Sequence, residues 1–222
     1  SVTKIGDYAF SNCENAKFND VEFSKNLKSI GISAFSGCNK LTSVTVPENV
    51  KTIGEYAFSD CSSLKNAVIK GGDDKIGYHV FSGCKSLEEL TLPFAGLSKD
   101  SANDPEIMSE ISFLFHYGDK ENYYTFANKQ RGSCSIPNTL KKITILDGNS
   151  ISDYAFAYLK DVESISIPDK VENIGDYAFS GCSGIENVYY PGTKENWEKN
   201  VTIGTNNEAI DGKIRFTNDN DD

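Results

Sequence analysis

The chain repeats one nine-residue phrase six times, and this repetition constrains its fold more than any other feature. Copies of the pattern I-G-x-x-A-F-S-x-C begin at residues 5, 30, 53, 76, 151 and 174, for example IGEYAFSDC at 53–61. Successive copies are 23 or 25 residues apart, except for one interval of 75 residues. An active-site motif rarely recurs in this way, so the phrase predicts a structural unit that stacks on copies of itself.

The segment that follows each phrase has the spacing L-x-x-L-x-L. It reads LTSVTVP (41–47), LEELTLP (87–93), LKKITIL (140–146), VESISIP (162–168) and IENVYYP (185–191), with looser copies LKNAVIK (64–70) and FNDVEFS (18–24). This spacing, in a period of about 20–29 residues, is typical of a leucine-rich-repeat solenoid. The alternation of apolar residues predicts one short strand per coil, with its apolar side chains directed inward.

We therefore predict a leucine-rich-repeat solenoid of mixed α/β and β character. It is a curved, right-handed coil with a parallel β-sheet on its concave face and an irregular or short-helical convex side built from the phrases. The glycine of each phrase is expected to relax the backbone where the chain turns. Two columns of the phrase are expected in the core: Phe10, Phe35, Phe58, Phe81, Phe156 and Phe179, and Cys13, Cys38, Cys61, Cys84 and Cys182.

Five of the six cysteines therefore belong to one repeat column, and Cys134 lies outside it. The chain has no C-x-x-C pair, and a spacing near 23 residues does not match a zinc site, so no metal is predicted. Cysteines on neighbouring coils lie near the Cα separation of a disulfide. Leu159 occupies the same column, which favours a packing role, and both interpretations stay open at this point.

The repeat predicts a single domain over residues 1–216 with two irregular parts. An insertion occupies approximately residues 94–139, and a C-terminal cap occupies approximately residues 189–216, with a last strand around KIRF. In the cap, Trp197 stands where isoleucine begins the phrase, and residues 217–222 are predicted to be a disordered acidic tail. Val2 fits the column of Val50 and Val171, so the sequence is expected to be part of a longer polypeptide.

Composition argues against several functions. The net charge of −10 and the scattered lysines argue against nucleic-acid binding. No stretch approaches the roughly 20 apolar residues of a transmembrane helix. Only two histidines occur; His79 stands at a variable position of the phrase, which predicts a surface site, and His116 forms no catalytic motif with Cys134. Because the sequence lacks the motifs G-x-S-x-G and H-E-x-x-H and a phosphate-binding loop, we predict that the protein is not an enzyme and has no cofactor. We also expect it to be a monomer.

With the repeat established, the chain resembles the BspA-like leucine-rich-repeat family of bacterial cell-surface proteins. The motif IG-x-x-AF-x-x-C followed by L-x-x-V-x-I-P covers residues 2–192 apart from the insertion. LPFAG (92–96) with SIPNTLKKITILDG (135–148) resembles the borders of an insertion that recurs in the family, and 189–216 resembles its closing module. The resemblance implies an extracellular or cell-surface location and adhesion to host or matrix proteins, without identifying a ligand.

Two regions carry candidate binding residues. On the predicted concave face, outward strand positions include Thr45, Glu89, Thr91, Lys142, Thr144 and Tyr189, although Thr also suits exposed strands that bind nothing. In the insertion, Tyr123 and Tyr124 stand near Lys129 and Arg131, a combination suited to recognition on a loop. The run Phe113-Leu114-Phe115 is expected to attach the insertion to the solenoid.

Three functions remain in competition. The leading one is a non-catalytic, secreted or cell-surface binding module for an extracellular protein, acting through the concave sheet, the insertion or both. The second is a structural spacer for another domain of a longer surface polypeptide. The third is a carbohydrate-binding module, in which a glycan stacks on the tyrosines of the insertion.

Overall fold

Each coil of the chain contributes a strand to one continuous parallel sheet. The computed structural model describes residues 2–13, 20–95, 111–115 and 136–218. The strands, in chain order, are β1 (Lys4–Ile5), β2 (Asp20–Val21), β3 (Ser29–Ile30), β4 (Ser43–Val46), β5 (Thr52–Ile53), β6 (Asn66–Ile69), β7 (Lys75–Ile76), β8 (Glu89–Leu92), β9 (Lys142–Ile145), β10 (Ser150–Ile151), β11 (Ser164–Ser166), β12 (Asn173–Ile174), β13 (Asn187–Tyr190), β14 (Thr202–Ile203) and β15 (Ile214–Phe216).

Eight of these strands form the main sheet, in the order β15-β13-β11-β9-β8-β6-β4-β2. Every neighbouring pair is parallel and joins equivalent repeat positions, as Glu89 pairs with Lys142 and Ser164 pairs with Asn187. Apolar residues at alternate positions, such as Val44 and Val46, are buried. The predicted leucine-rich-repeat solenoid is confirmed, and the sheet includes the expected last strand.

A second ladder consists of two-residue strands, one at the start of each phrase and one, β14, in the C-terminal cap. It runs β1-β3-β5-β7 and then, separately, β10-β12-β14. Within the described residues, the ladder is interrupted between β7 and β10, where the insertion separates two copies of the phrase. The main sheet has no break at this point, because β8 pairs directly with β9.

The rest of each phrase forms a wall of consecutive turns, joined to the next coil by backbone hydrogen bonds. Phe35 N–H donates to the Ala57 carbonyl at 2.8 Å, and Phe58 N–H donates to the Val80 carbonyl at 3.0 Å. The fourth residue of the phrase is left-handed in every copy, with φ between +50° and +60° at Tyr8, Ser33, Tyr56, His79, Tyr154 and Tyr177. The wall is therefore a stack of turns.

The phrase glycines have a different role from the predicted one. Gly54 is not in the left-handed region, so its φ does not require glycine. A Cβ at Gly54 would lie 2.5 Å from the carbonyl carbon of Gly31 in the preceding coil. Glycine is needed here because two backbones approach closely, and the expectation of a relaxed turn was wrong.

The phenylalanine column forms a stack in the core. Phe35 and Phe58 have ring centroids 5.4 Å apart, and both are buried, as are Phe81, Phe156 and Phe179. Phe10 stacks on Phe35 at 5.1 Å but is 37% exposed, so its placement inside the core was wrong. It belongs to the first coil of the described structure, which has a neighbouring coil on one side.

The cysteine column lies beside the phenylalanine stack, and its five thiols are free. Each of four thiols donates to the phenylalanine carbonyl of the preceding coil. For example, Cys61 Sγ donates to the Phe35 carbonyl at 3.2 Å, and Cys182 Sγ donates to the Phe156 carbonyl at 2.9 Å. These contacts agree with the packing interpretation of the column.

The described part of the insertion replaces a phrase. Residues Ile111–Leu114 form a 3-10 helix. The carbonyl of Phe113 accepts from His79 N–H at 2.8 Å, and Ile111 N–H donates to the Ala155 carbonyl at 3.0 Å. Phe113, Leu114 and Phe115 are buried, as expected of residues that attach the insertion.

This segment also explains why the surface site predicted for His79 was wrong. His79 is completely buried, and its ring stacks on Tyr56 with centroids 4.7 Å apart. Its backbone is covered by the 3-10 segment of the insertion.

The C-terminal cap contains the helix α1 (Lys194–Asn200), which Thr193 caps at its N-terminus. Trp197 is buried and packs against Tyr190 and Phe216, at 5.0 and 6.2 Å between ring centroids. Trp197 does not occupy the isoleucine position of the phrase, because Ile203 pairs in register with Ile174. The five residues between Trp197 and Ile203 complete the helix and return the chain to the ladder.

Beyond β15, the predicted tail begins with two attached residues. Thr217 N–H donates to the Tyr190 carbonyl at 3.1 Å, and the Asn218 amide donates to the Pro191 carbonyl at 2.8 Å. Residues 219–222 lie outside the described part of the chain.

Candidate functional site

The outward face of the main sheet carries two columns of side chains in register. We call the first the hydroxyl column; it consists of Thr45, Val68, Thr91, Thr144, Ser166, Tyr189 and Arg215, each paired with the next. Its members alternate along each strand with buried residues, as Thr45 does between Val44 and Val46. Their side chains therefore project from one face, and strand pairing holds them about 4.8 Å apart along the column.

We call the second column the mixed column; it consists of Asp20, Ser43, Asn66, Glu89, Lys142, Ser164 and Asn187. Two candidate binding residues pair with each other here, because Lys142 Nζ lies 3.9 Å from a carboxylate oxygen of Glu89. The hydroxyl of Ser43 donates to the carboxylate of Asp20. This column is polar, and part of its charge is internally balanced.

A row of ion pairs borders the mixed column. Lys65 pairs with Glu88 at 2.9 Å, and Lys141 pairs with Glu163 at 3.3 Å, with all four side chains about half exposed. Exposed pairs of this kind contribute little to stability. They instead make the border of the sheet surface strongly polar.

The hydroxyl column ends in an aromatic and a basic side chain that lie next to each other. Tyr189 on β13 pairs in register with Arg215 on β15, and Tyr189 is 38% exposed. The Arg215 guanidinium donates to the Gly212 and Ile214 carbonyls at 3.0 and 3.2 Å, which restrains its position. Tyr and Arg are residue types that contribute most to protein–protein binding energy.

Arg215 is absent from the sequence-based candidates, although KIRF was expected to form the last strand. Two signals could have identified it. Arg215 follows an apolar residue and precedes another, so it faces outward, and it stands 26 residues after Tyr189.

The structure brings Thr45, Glu89, Thr91, Lys142, Thr144 and Tyr189 together on one sheet face, as expected. Their involvement in binding stays a prediction. The four candidates of the insertion, Tyr123, Tyr124, Lys129 and Arg131, lie outside the described residues.

The buried thiols are poorly suited to nucleophilic chemistry. Burial raises the pKa of Cys182 to about 11 and that of Cys84 to about 12, and it is also the main cause of a raised pKa at Cys61. Reactive cysteines need the thiolate, which these surroundings disfavour. Within residues 2–13, 20–95, 111–115 and 136–218, no cluster of three His, Cys, Asp or Glu side chains is arranged to bind a metal ion.

Comparison with known proteins identifies the repeat. The family model for the BspA type leucine rich repeat region matches six copies, over residues 1–99 and 120–207. No curated protein sequence matches the chain.

Among solved structures, the chain is similar to a leucine rich cell surface protein of Faecalibacterium prausnitzii, with 24% identity, a TM-score of 0.38 and coverage of 84% of this chain. It is similar to a T. pallidum leucine rich repeat protein, with 22% identity, a TM-score of 0.42 and 91% coverage. It is also similar to the pneumococcal vaccine antigen PcpA, with 19% identity, a TM-score of 0.40 and 92% coverage. The chain spans 35%, 67% and 56% of these three proteins, respectively.

The described part of the chain contains no helix with the length and hydropathy required to cross a membrane.

Proposed function

We propose that this chain, which belongs to the BspA-type leucine-rich-repeat family, is a non-catalytic binding module at the cell surface or in the extracellular medium. It recognises another protein, such as a host or matrix protein, through the outward face of the main sheet. The observation that carries this proposal is the pair Tyr189 and Arg215, exposed at the end of the hydroxyl column.

The sheet face suits recognition because little conformational entropy is lost when it binds. Thr91, Thr144 and Ser166 have short side chains on strands already fixed by pairing. Short hydroxylated side chains lose less rotamer freedom on burial than the long side chains of Lys, Arg or Glu. A partner therefore meets a preorganised polar surface with one aromatic and one basic anchor.

Electrostatics favours a partner with a basic surface. The chain has a net charge of −10, and Glu186, an exposed acidic residue, lies beside the mixed column. Complementary charge increases the association rate and makes binding dependent on salt. We expect binding to weaken as ionic strength rises.

The experiment measures binding of the chain to a panel of purified extracellular-matrix proteins by surface plasmon resonance. The test variant combines Tyr189→Ala with Arg215→Ala. The matched control combines Tyr8→Ala with Lys40→Ala, which removes an exposed tyrosine and an exposed basic residue away from the sheet face. We expect at least a tenfold loss of affinity in the test variant and an unchanged affinity in the control.

Three results would count against the proposal. Equal affinities of the test variant and the wild-type chain would show that the end of the hydroxyl column is not part of the binding site. A wild-type chain that binds no member of the panel would favour the spacer function. Binding to immobilised glycans, abolished by Tyr123→Ala with Tyr124→Ala, would favour the carbohydrate-binding alternative.

A further inference from the structure

The C-terminal cap contains the tripeptide Asn200-Val201-Thr202, which we call the sequon. It is the one place in the sequence where a serine or threonine stands two residues after an asparagine. The pattern N-x-[S/T] marks an asparagine whose amide nitrogen can carry a glycan in a secreted protein. Because so short a pattern also occurs by chance, its structural surroundings determine whether it can act.

The acceptor asparagine lies on the surface of the cap. Asn200 is the last residue of α1, and its side chain is exposed. The Asn200 amide donates to the side-chain oxygen of Asn196, which is also exposed. Trp197 is the buried residue that attaches α1 to the core. A glycan on the amide nitrogen of Asn200 can therefore extend into solvent without displacing a core side chain.

The rest of the sequon is also accessible to an enzyme. Thr202 is exposed, and Val201 has an extended conformation, with φ −99° and ψ 119°. The helix α1 has seven residues and ends within the sequon. Helix ends fray, and a helix this short depends on tertiary packing for its stability. The last turn can therefore open to an enzyme while Trp197 keeps α1 attached.

The cap closes two of the three sides of the last coil with its own side chains. At the edge of the main sheet, the Lys213 carbonyl accepts from β13, so the next carbonyl, of Ile214, faces away from β13. It accepts from the Arg215 guanidinium at 3.2 Å. On the wall, the side-chain oxygen of Asn207 accepts from the Phe179 N–H at 2.9 Å. Both side chains occupy edge groups that could otherwise pair with another chain.

The third side, at the end of the ladder of short strands, exposes an apolar side chain. Ile151, Ile174 and Ile203 are in register, and they are 1%, 0% and 43% exposed, respectively. An exposed apolar edge strand favours association with other chains. The sequon adjoins this edge, because Thr202 is the first residue of β14 and Asn200 lies within about 10 Å of Ile203 along the chain.

We propose that Asn200 is the acceptor of an N-linked glycan, which covers the open end of the ladder at Ile203. The C–H faces of a sugar ring remove apolar surface of Ile203 from water, and its hydroxyl groups keep this end of the solenoid hydrated. The inference rests on the proposed extracellular or cell-surface location, because N-x-[S/T] glycans belong to secreted proteins.

The glycan donor is an oligosaccharide linked through a diphosphate to a polyprenyl lipid. The amide nitrogen of Asn200 forms a bond to C1 of the first sugar, and the bond between C1 and the diphosphate oxygen breaks. The lipid diphosphate leaves with the electron pair of that bond, and the amide nitrogen gives one proton to a base of the transferase. No group is oxidised or reduced.

The experiment incubates the purified full chain with membranes that contain an oligosaccharyltransferase and this lipid-linked oligosaccharide, and measures the intact mass. We expect the mass of one glycan to be added, on the peptide that contains Asn200. Asn200→Gln and Thr202→Val should abolish the addition, whereas Thr202→Ser should retain it. Asn173→Gln, which replaces an exposed asparagine of the same ladder outside any sequon, is the matched control and should be glycosylated like the wild-type chain.

A synthetic peptide of residues 194–206 presents the sequon without the fold. Modification of the peptide but not of the folded chain would show that the cap hides Asn200, and the proposal would be wrong. It would also be wrong if neither is modified while an established acceptor peptide is. Both measurements are independent of partner binding, so a chain that binds no matrix protein can still be glycosylated, and the two proposals fail separately.

Contact between the glycan and Ile203 is measured on the glycosylated chain by nuclear Overhauser effects from isotope-labelled methyl groups. We expect contacts between sugar protons and the methyl groups of Ile203. Leu146, which is 46% exposed and lies outside the cap, should show none. A glycan without contacts to Ile203 would overturn its role in covering the ladder.

Discussion

The side-chain oxygen of Asn207 accepts a hydrogen bond from the backbone N–H of Phe179 at 2.9 Å. In the coil before, a backbone carbonyl takes this role, because Phe156 N–H donates to the Ala178 carbonyl at 2.8 Å. The Asn207 amide nitrogen donates to the Gly175 and Gly204 carbonyls, both at 2.9 Å. Asn207 is buried and thus ends the wall by satisfying backbone groups that another coil would otherwise pair.

Replacement of Asn207 with alanine should therefore destabilise the solenoid. The change leaves the N–H of Phe179 and the carbonyl of Gly175 without their partners, and each buried unpaired group costs about 1–3 kcal/mol. We expect the free energy of unfolding, measured by urea denaturation, to fall by about 2–4 kcal/mol. Asn138→Ala, at an exposed position, is the control. Equal stability of the two variants would exclude the role of Asn207 as the end of the wall.

The phenylalanine stack predicts that replacement of a phenylalanine with alanine lowers the free energy of unfolding more at a buried position than at an exposed one. Phe58 is completely buried between Phe35 and Phe81, at 5.4 and 6.1 Å between ring centroids, so Phe58→Ala should cost about 3–5 kcal/mol through the cavity it leaves. Phe10 is 37% exposed, so Phe10→Ala should cost clearly less. Urea midpoints of both variants test this order, and a larger loss at Phe10 would contradict it.

The sequence was sufficient to predict the columns of the solenoid because side-chain direction follows strand periodicity. Thr91 and Thr144 are neighbours on the outward face although 53 residues separate them, and the L-x-x-L-x-L spacing alone aligns them. The same alignment places Cys61 in the core. Because the repeat occurs several times, the residue types at each position can be compared between copies, which a single copy does not allow.

The departures from the repeat could not be predicted in this way. Trp197 is 23 residues after Ile174, so the repeat length predicts that it continues the ladder of short strands. The chain instead forms α1 at this point, and Ile203 pairs with Ile174. Likewise, the sequence does not show that residues 111–115 supply the wall of one coil, because they lack the glycine, alanine and cysteine of the phrase. The burial of His79 follows from that tertiary contact.

Close approach of coils, rather than backbone freedom, should determine the effect of substituting a phrase glycine. A Cβ at Gly54 would lie 2.5 Å from the Gly31 carbonyl carbon, whereas a Cβ at Gly6 meets nothing within 4 Å. We expect Gly54→Ala to cost about 1–3 kcal/mol, as overpacking does. Gly6→Ala should be neutral or stabilising by about 0.4–1 kcal/mol, because alanine restricts the unfolded chain. Thermal unfolding of the two variants distinguishes close approach of the coils from backbone flexibility as the reason for glycine. Equal losses of stability in Gly54→Ala and Gly6→Ala would favour backbone flexibility.

The buried thiols predict a loss of stability at alkaline pH. Burial raises the pKa of Cys182 from 9.0 to about 11, so the folded protein retains this proton where the unfolded chain has lost it. The contribution of Cys182 to stability is therefore complete below about pH 9 and is lost as pH rises towards about 11. The expected slope is about 1.4 kcal/mol per pH unit for one thiol.

Urea denaturation at a series of pH values between 8 and 10.5, set roughly around the ordinary thiol pKa, measures this slope. Cys182→Ala should lose part of the alkaline decrease that the wild-type chain shows, whatever the offset in stability caused by the smaller side chain. Ile185→Val, a buried substitution in the same coil that removes no titrating group, should keep the full decrease. If the Cys182→Ala and Ile185→Val curves run parallel throughout this range, then proton release from Cys182 does not accompany unfolding, and the burial of its thiol is not the cause of the alkaline loss.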